Sequence, residues 1–422
     1  MSVPLIGGAA DVAAPVRTED GQRPPARRYR VAYLVTHPIQ YQAPLLRLIA
    51  GQPDIALKVL FQSEGALAGH RDRGFGQVVR WDVPLLDGYE HEFLPAFGRR
   101  NVISAQRPLS YGIASRLRRG RFDALWVHGY ARWVNWQAML AAKALGAKVL
   151  VRDEATAASA PRSPARRLAK HGFFRTLAAV ADGFLAIGSA NRDYYLANGI
   201  PPARVFMMPY AVDNDFFRLR ALAAAPRREA LRAELGLEPG RAIILYASKF
   251  QRRKRPDDLL RAHVRLCRSL DARPAPYLLF VGDGEMRGAL EQAAGGEKGG
   301  AVRFLGFRNQ TELPALFDLA DVFVLPSVHE PWGLIVNEAM AAGRAVIVSD
   351  QVGCAGDLVR HGVNGFIFPA GDVEALAAAL REIVLAPRRA RAMGEAGREI
   401  IERWSFREDL AGLRQALRAS LA

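Results

Sequence analysis

The sequence predicts an α/β protein built from two doubly wound, Rossmann-like domains. Three observations lead there. Short runs rich in β-branched and aromatic residues recur through most of the 422 residues with helical patterns between them, as in parallel sheets covered on both faces. The alternation occurs twice, with a linker-like stretch after position 210 separating the two series. Several runs end in small or polar residues just ahead of a helical pattern, which is where open α/β sheets bind their ligands. At about 150 residues per domain the length allows two or three domains, and two agrees with the two series.

Residues 1–28, rich in Ala, Gly, Pro and Arg without a sustained period, are expected to remain a disordered tail. The first domain, 29–212, opens with the strand RVAYLVT (30–36), the loop HPIQYQAP and the helix LLRLIA. Its further strands are IALKVLF (55–61), FDALWVH (122–128), AKVLVRD (147–153), DGFLAIG (182–188) and RVFMMPY (204–210). The stretch 64–108, with many Gly, Pro and aromatic residues, reads as loops or a small hairpin, an insertion of the kind that carries substrate contacts. The second domain, 213–402, restarts the alternation with RAIILYAS (241–248), YLLFVGDG (277–284), VRFLGF (302–307), DVFVLPS (321–327), RAVIVSD (344–350) and GFIFPA (365–370). Residues 403–422 are helical in pattern, and no internal repeat points to a solenoid or propeller.

Composition narrows the class. The two cysteines, Cys267 and Cys354, stand outside any CxxC or Cys/His pattern, so neither a disulfide framework nor a zinc site is expected and a reducing cytoplasm fits. No apolar run reaches the roughly 18 residues that span a bilayer, and the first residues lack a signal-type apolar region, so the protein is expected to be neither exported nor integral. A net charge of +16 attracts phosphates in general. The arginines are nonetheless dispersed over segments such as RLRRGR (116–121) and PRSPARRLAK (161–170), without aromatic interleaving or a DNA-reading module, so nucleic acid is not the expected partner. Peripheral contact with an anionic membrane is compatible with the charge, at about 1 kcal/mol per nearby Lys or Arg, and would set the protein at the inner face of the cytoplasmic membrane.

The chemistry concentrates in SVHEPWGLIVNEAMAA (327–342), a polar loop that turns helical between two strands. Gly333 sits where the helix begins, so a ligand can approach the backbone and meet the free N–H groups of the first turn. Glu330 lies in the loop and Glu338 about a turn and a half into the helix, so two carboxylates can accept hydrogen bonds from hydroxyls on two parts of one ligand. Two glutamates at this spacing also occur on ordinary helix surfaces, so the spacing alone is a weak signal. Lys249 and Lys254, in KFQRRKRPDD, follow the strand RAIILYAS at the binding edge of the sheet. Gly282 lies in the strand-to-turn junction VGDG. His128 closes FDALWVH ahead of Gly129, at a strand's carboxyl end facing the cleft. Asp153 and Glu154 follow AKVLVR as cleft-edge carboxylates that could touch an acceptor, with solvated surface groups as the alternative and somewhat favoured reading.

These segments resemble glycosyltransferase family 4, the retaining nucleotide-sugar enzymes of the GT-B fold. Glu330, Pro331, Trp332, Gly333, Leu334 and Glu338 are similar to the family's E-x7-E segment, flanked by LPS and EAMAAGRAVIVSD. The resemblance implies donor binding by Glu330, Trp332, Gly333, Leu334 and Glu338, with Gly282 beside the nucleotide and Phe307, in FLGF, where the backbone meets the base. Lys249 and Lys254 stand where the family has two basic residues, usually Arg and Lys, that hold the donor diphosphate and stabilise it as leaving group. Lysine at 249 departs from that pattern, offering a point charge in place of a bidentate fork. The resemblance also puts His128 close to the transferred sugar, giving Glu330, His128, Lys249 and Lys254 as the catalytic set. It implies that the helix in 403–417 crosses back onto the first domain.

The loop THPIQYQAP (36–44) is the clearest departure: it has none of the glycines that bring backbone N–H groups to donor phosphates, so His37, Gln40 and Tyr41 are expected to contact acceptor or sugar. No cofactor or metal is expected, because no convincing aspartate-x-aspartate motif is present and the lysines can offset the diphosphate charge. The expected function is a retaining transfer of sugar from a nucleotide-sugar donor to a glycan, lipid-linked or small-molecule acceptor, as in surface polysaccharide assembly, by same-face attack. The alternatives are a nucleotide-sugar epimerase of the same twin-domain fold and a basic nucleic-acid or lipid-surface binder.

Overall fold

Continuous apolar strands need cover on both faces, and the chain supplies it twice. The computed structural model describes residues 28–67, 69–72, 74–99, 101, 107–156, 164–270, 274–295 and 301–422. The tail expected over 1–28 lies outside the described residues except for Arg28. The first domain contains strands β1 (Tyr29–Val35), β2 (Ile55–Phe61), β3 (His70–Asp72), β4 (Gln77–Val79), β5 (Glu90–Phe93), β6 (Ala96–Phe97), β7 (Leu109–Ser110), β8 (Ala124–His128), β9 (Lys148–Arg152), β10 (Gly183–Ala186) and β11 (Val205–Met207). The second contains β12 (Ile243–Ala247), β13 (Tyr277–Val281), β14 (Val302–Gly306), β15 (Val322–Leu325), β16 (Ala345–Ser349) and β17 (Gly365–Phe368).

Two parallel sheets result, in the orders β11-β10-β9-β8-β1-β2-β5 and β14-β13-β12-β15-β16-β17. In β12 the side chains of Ile243 and Leu245 enter one apolar cluster with Phe317 and Phe323, while Ile244 and Tyr246 enter another with Leu259 and Phe280. Each such burial contributes about 1.5–3 kcal/mol, which accounts for an uninterrupted apolar run in place of alternation. Strand order reverses between β8 and β1 in the first sheet and between β12 and β15 in the second, and the carboxyl ends at a reversal leave a crevice for a ligand.

The insertion 64–108 is more ordered than loops or a hairpin alone. Besides the β3–β4 hairpin, it supplies β5, which pairs parallel with β2 at the sheet edge. Its sequence EHEF hides a strand because the edge is polar, with Glu90 and Glu92 paired to Lys58 at 3.0 and 3.3 Å.

The C-terminal helix Phe406–Leu421 is capped by Ser405 and Glu408 and packs on the first domain, burying Leu410, Leu413 and Leu417 with Tyr33, Leu185 and Phe206. A Cβ at Gly412 would come 1.9 Å from the Met207 carbonyl, so only glycine permits this approach. The helix also carries Asp409, whose carboxylate lies 3.1 Å from the Arg152 guanidinium, both fully buried. Among the described residues no helix is long and apolar enough to cross a membrane.

Candidate active site

The loop leaving β12 is anchored by Phe250, which is fully buried, and by close contact with the turn after β13. Gly282 has φ 124°, and a Cβ there would meet the Ser248 carbonyl at 2.1 Å, so the two strand ends touch backbone to backbone. That contact delivers Lys249 to the crevice, where Nζ pairs with the Asp72 carboxylate at 2.8 Å. Five residues on, Lys254 ends a single 3-10 turn and its ammonium bonds to the Glu330 carboxylate, with Arg253 3.6 Å from the same oxygen. Lys254 is only 7% exposed. Its burial, then the charges of Arg253 and Lys249, push its pKa down to about 7, and the Glu330 contact acts in the opposite sense.

The segment after β15 brings the second group of residues. Glu330 is fixed through its backbone, accepting from Gly353 N at 2.9 Å, and Gly333, with φ 100°, starts the helix Leu334–Ala341. Glu338 is 5% exposed and its Oε2 has no hydrogen-bond partner among the described residues. Burial pushes the carboxyl up to about 8, opposed by a hydrogen bond with Gln310. With that shift Glu338 is protonated at neutral pH and can meet a hydroxylated ligand. Because the folded value lies above the unfolded one, wild-type stability should fall as pH rises from about 5 to 8 on account of this group. Glu338→Gln removes that loss, so its Tm relative to wild type should climb over the same interval in thermal melts; a constant difference would show that the carboxyl ionises without penalty.

These residues enclose a cavity of about 370 Å³ between the domains. Of the residues singled out in the sequence, Gln40, Tyr41, Glu154, Lys249, Gly282, Phe307, Glu330, Trp332, Gly333, Leu334 and Glu338 line it. Trp332 does so with little more than an edge, since its ring is buried and its Nε1 donates to Asn337 at 3.0 Å. Lys254 stands behind Glu330 and is not itself on the wall.

On the first-domain side three expectations need correction. Asp153 does not edge the cleft: it is buried and its carboxylate accepts from the Tyr195 hydroxyl and from Ala155 N, a packing role behind the site. His128 lies at the end of β8 but does not line the cavity; its Nδ1 is 3.2 Å from the Tyr33 hydroxyl and its Nε2 is 3.4 Å from the Tyr210 hydroxyl. Burial, then Arg152 and His37, push its imidazole down to about 3, so it is neutral and orients the tyrosines. His37 is likewise off the wall, its Nδ1 2.8 Å from the Thr36 hydroxyl. Glu154, by contrast, reaches the cavity and accepts from the Tyr210 hydroxyl at 2.6 Å, with burial raising its carboxyl pKa.

Several lining residues escaped the sequence reading. Phe75 and Trp81 reach the cavity from the insertion, and Asp72 supplies the partner of Lys249. The only signal was the aromatic and glycine content of 64–108. Tyr210, Arg308 and Gln310 complete the wall. Among the described residues no group of three or more His, Cys, Asp and Glu side chains is arranged to hold a metal ion. The assembled features are a strand-reversal crevice, a helix N-terminus, cations on one side, and one carboxyl with an unused oxygen. They suit a ligand bearing both phosphate and hydroxyl groups.

Residues 227–400 match the family model for glycosyl transferases, group 1. A D-inositol 3-phosphate glycosyltransferase of Streptomyces griseus is 30% identical over 362 residues, which cover 79% of this chain and 73% of that protein. The corresponding protein of Segniliparus rotundus is 32% identical over 233 residues, 54% of this chain, and the match spans about half, 49%, of that relative's length. Among solved structures, Anabaena HepE in complex with UDP and glucose superposes with a TM-score of 0.68 at 16% identity, covering 93% of this chain and 100% of that one. At that identity the likeness establishes the fold, two Rossmann-like domains in the GT-B arrangement.

Proposed function

The chain belongs to the group 1 glycosyl transferases, and on that premise we propose that it is a retaining glycosyltransferase using a nucleotide-sugar donor bound in the interdomain cavity. The observation that carries this reading is the juxtaposition, around one cavity of about 370 Å³, of Lys249, the Lys254–Glu330 pair and the unsatisfied Glu338. Lys249 and Lys254 would neutralise the diphosphate, aided by the N–H groups at Gly333 and Leu334. Glu330 would hold hydroxyls of the sugar and Glu338 those of the ribose. The acceptor, a glycan, a lipid-linked sugar or a small molecule, would enter beside Gln40, Tyr41 and Glu154. A setting at the cytoplasmic face of the membrane is favoured by the +16 charge.

Glu330 is engaged through Oε2 by Lys254 and Arg253, and Glu154 through Oε1 by Tyr210, and no carboxylate is assigned the role of covalent nucleophile. Same-face attack is the mechanism proposed: the anomeric carbon's bond to the diphosphate oxygen breaks, the acceptor oxygen bonds to that carbon, and the acceptor's proton passes to the departing phosphate. His128 acts by positioning Tyr210 and Tyr33.

A thermal-shift panel of UDP- and GDP-sugars in EDTA tests the reading. A donor at about 100 times its Kd should stabilise the protein by roughly 2.7 kcal/mol. A shift that appears only with Mg²⁺ or Mn²⁺ would overturn metal-free binding. No shift with any nucleotide sugar, together with salt-sensitive binding to polynucleotide or anionic vesicles, would favour the rival basic binder.

A further inference from the structure

The hairpin of β3 and β4 belongs to the first domain, yet its contacts lie on the second. Asp72 accepts from Lys249 Nζ at 2.8 and 2.9 Å while also accepting from Gly74 N and Phe75 N at 2.7 and 3.1 Å, so one carboxylate shapes the turn and meets the crevice cation. Just after the hairpin, Asn309 Nδ2 donates to the Arg80 carbonyl at 2.7 Å and Thr311 N donates to the Asp82 carboxylate at 3.1 Å. The backbones also meet: a Cβ at Gly284 would lie 2.9 Å from the Gly74 carbonyl, and a Cβ at Gly74 would lie 2.5 Å from the Lys249 side chain. Two aromatic rings are held by this clamp. Phe75 packs edge-on against Phe307 with centroids 4.9 Å apart, Trp81 meets the same ring at 6.2 Å, and Lys249 Nζ sits 4.9 Å from the Phe75 centroid.

Packing alone does not account for the pair, because both rings are only half-buried and both line the cavity that Gly282, Phe307, Gln310 and Glu338 line from the other domain. Flat apolar faces next to a hydroxyl-seeking carboxyl and a phosphate-seeking cation are the surroundings a nucleobase needs, since every base offers a π face for stacking. We propose that Phe75 and Trp81 form, with Phe307, the aromatic wall that receives the donor's nucleobase, so that a first-domain insertion sets nucleotide specificity alongside the second domain. The inference rests on the nucleotide-sugar reading and goes beyond it in assigning base recognition to residues of the opposite domain. Asp72 is the positioning residue, holding Lys249 and Phe75 in a fixed relation.

The test is calorimetric titration of the full chain with UDP, GDP and inorganic pyrophosphate, in wild type and in Phe75→Ala, Trp81→Ala and Val78→Ala, the last a 67%-exposed control on the same hairpin. Each aromatic variant should lose about ten-fold or more in affinity for the preferred nucleoside diphosphate and narrow the ratio between UDP and GDP, with pyrophosphate binding unchanged. Trp81→Phe and Phe75→Tyr should keep most of the affinity, which separates loss of stacking from loss of fold. If the aromatic variants bind nucleoside diphosphate as wild type does, or lose pyrophosphate in equal measure, the wall is not a base site. If wild type binds neither these two nor ADP, CDP or dTDP, the donor reading itself fails, and this assignment with it.

Discussion

Replacing Lys254 by alanine should lower kcat/KM for the donor by about 100- to 1,000-fold, the range seen when a preorganised group stabilising developing negative charge is removed. Two losses combine. The leaving diphosphate loses a nearby cation, and Glu330, left with only Arg253 at 3.6 Å, presents uncompensated negative charge to the same diphosphate. Lys254→Arg should recover part of the activity. Alanine at Arg118 or Arg119, both exposed in RLRRGR, should change little, because a surface charge is screened within about 10 Å at 0.1 M salt. A pH signature accompanies the effect. With Lys254 held near 7 by burial, a bound diphosphate would pull its pKa upward, so donor binding should take up a proton and weaken as pH rises above about 7. Calorimetry in buffers of different ionisation enthalpy reads that proton, and Lys254→Ala should abolish its uptake. Equal activity losses in the Lys254 and Arg118 variants would point instead to diffuse electrostatics.

Asp409→Ala should destabilise the protein by about 3–5 kcal/mol, the cost of leaving one partner of a buried ion pair alone. Arg152 is 1% exposed and would keep the Met208 and Pro209 carbonyls, at 2.7 and 3.1 Å, and the Tyr210 and Trp126 rings, 4.7 and 5.9 Å away, with no carboxylate of its own left in bonding contact among the described residues. Urea denaturation should show the midpoint falling with an unchanged slope. The site should loosen as well, since the same guanidinium stacks on the tyrosine that binds Glu154. A loss below 1 kcal/mol would mean that the C-terminal helix is held by its apolar face and by the Arg414–Asp54 pair alone.

Much of this architecture could be read from residue order because the determining forces are local or periodic. Apart from β5, the strands of both sheets are apolar runs of strand length, and the E-x7-E loop lies between two of them at the strand reversal. What stayed hidden depends on side-chain direction or on distant pairing. Asp153 and Glu154 are neighbours just past the end of β9, and residue order alone does not show that one is buried against Tyr195 while the other reaches the cavity. Lys249 and Asp72 are 177 positions apart, and nothing periodic links an insertion to the crevice it covers. The strand β5 was masked by the very charges that solvate an edge, and Lys254 looked like a wall cation because sequence cannot show Glu330 standing in front of it.

On the proposed reading the interdomain cavity holds a nucleotide sugar through Lys254, Glu330 and Glu338. Titrating wild type, Lys254→Ala and Arg118→Ala with the nucleoside diphosphate of whichever donor gives the largest thermal shift tests it most directly. One site per chain is expected in wild type and in Arg118→Ala, weakened at least 100-fold in a folded Lys254→Ala; equal binding by all three proteins would contradict this placement of the donor.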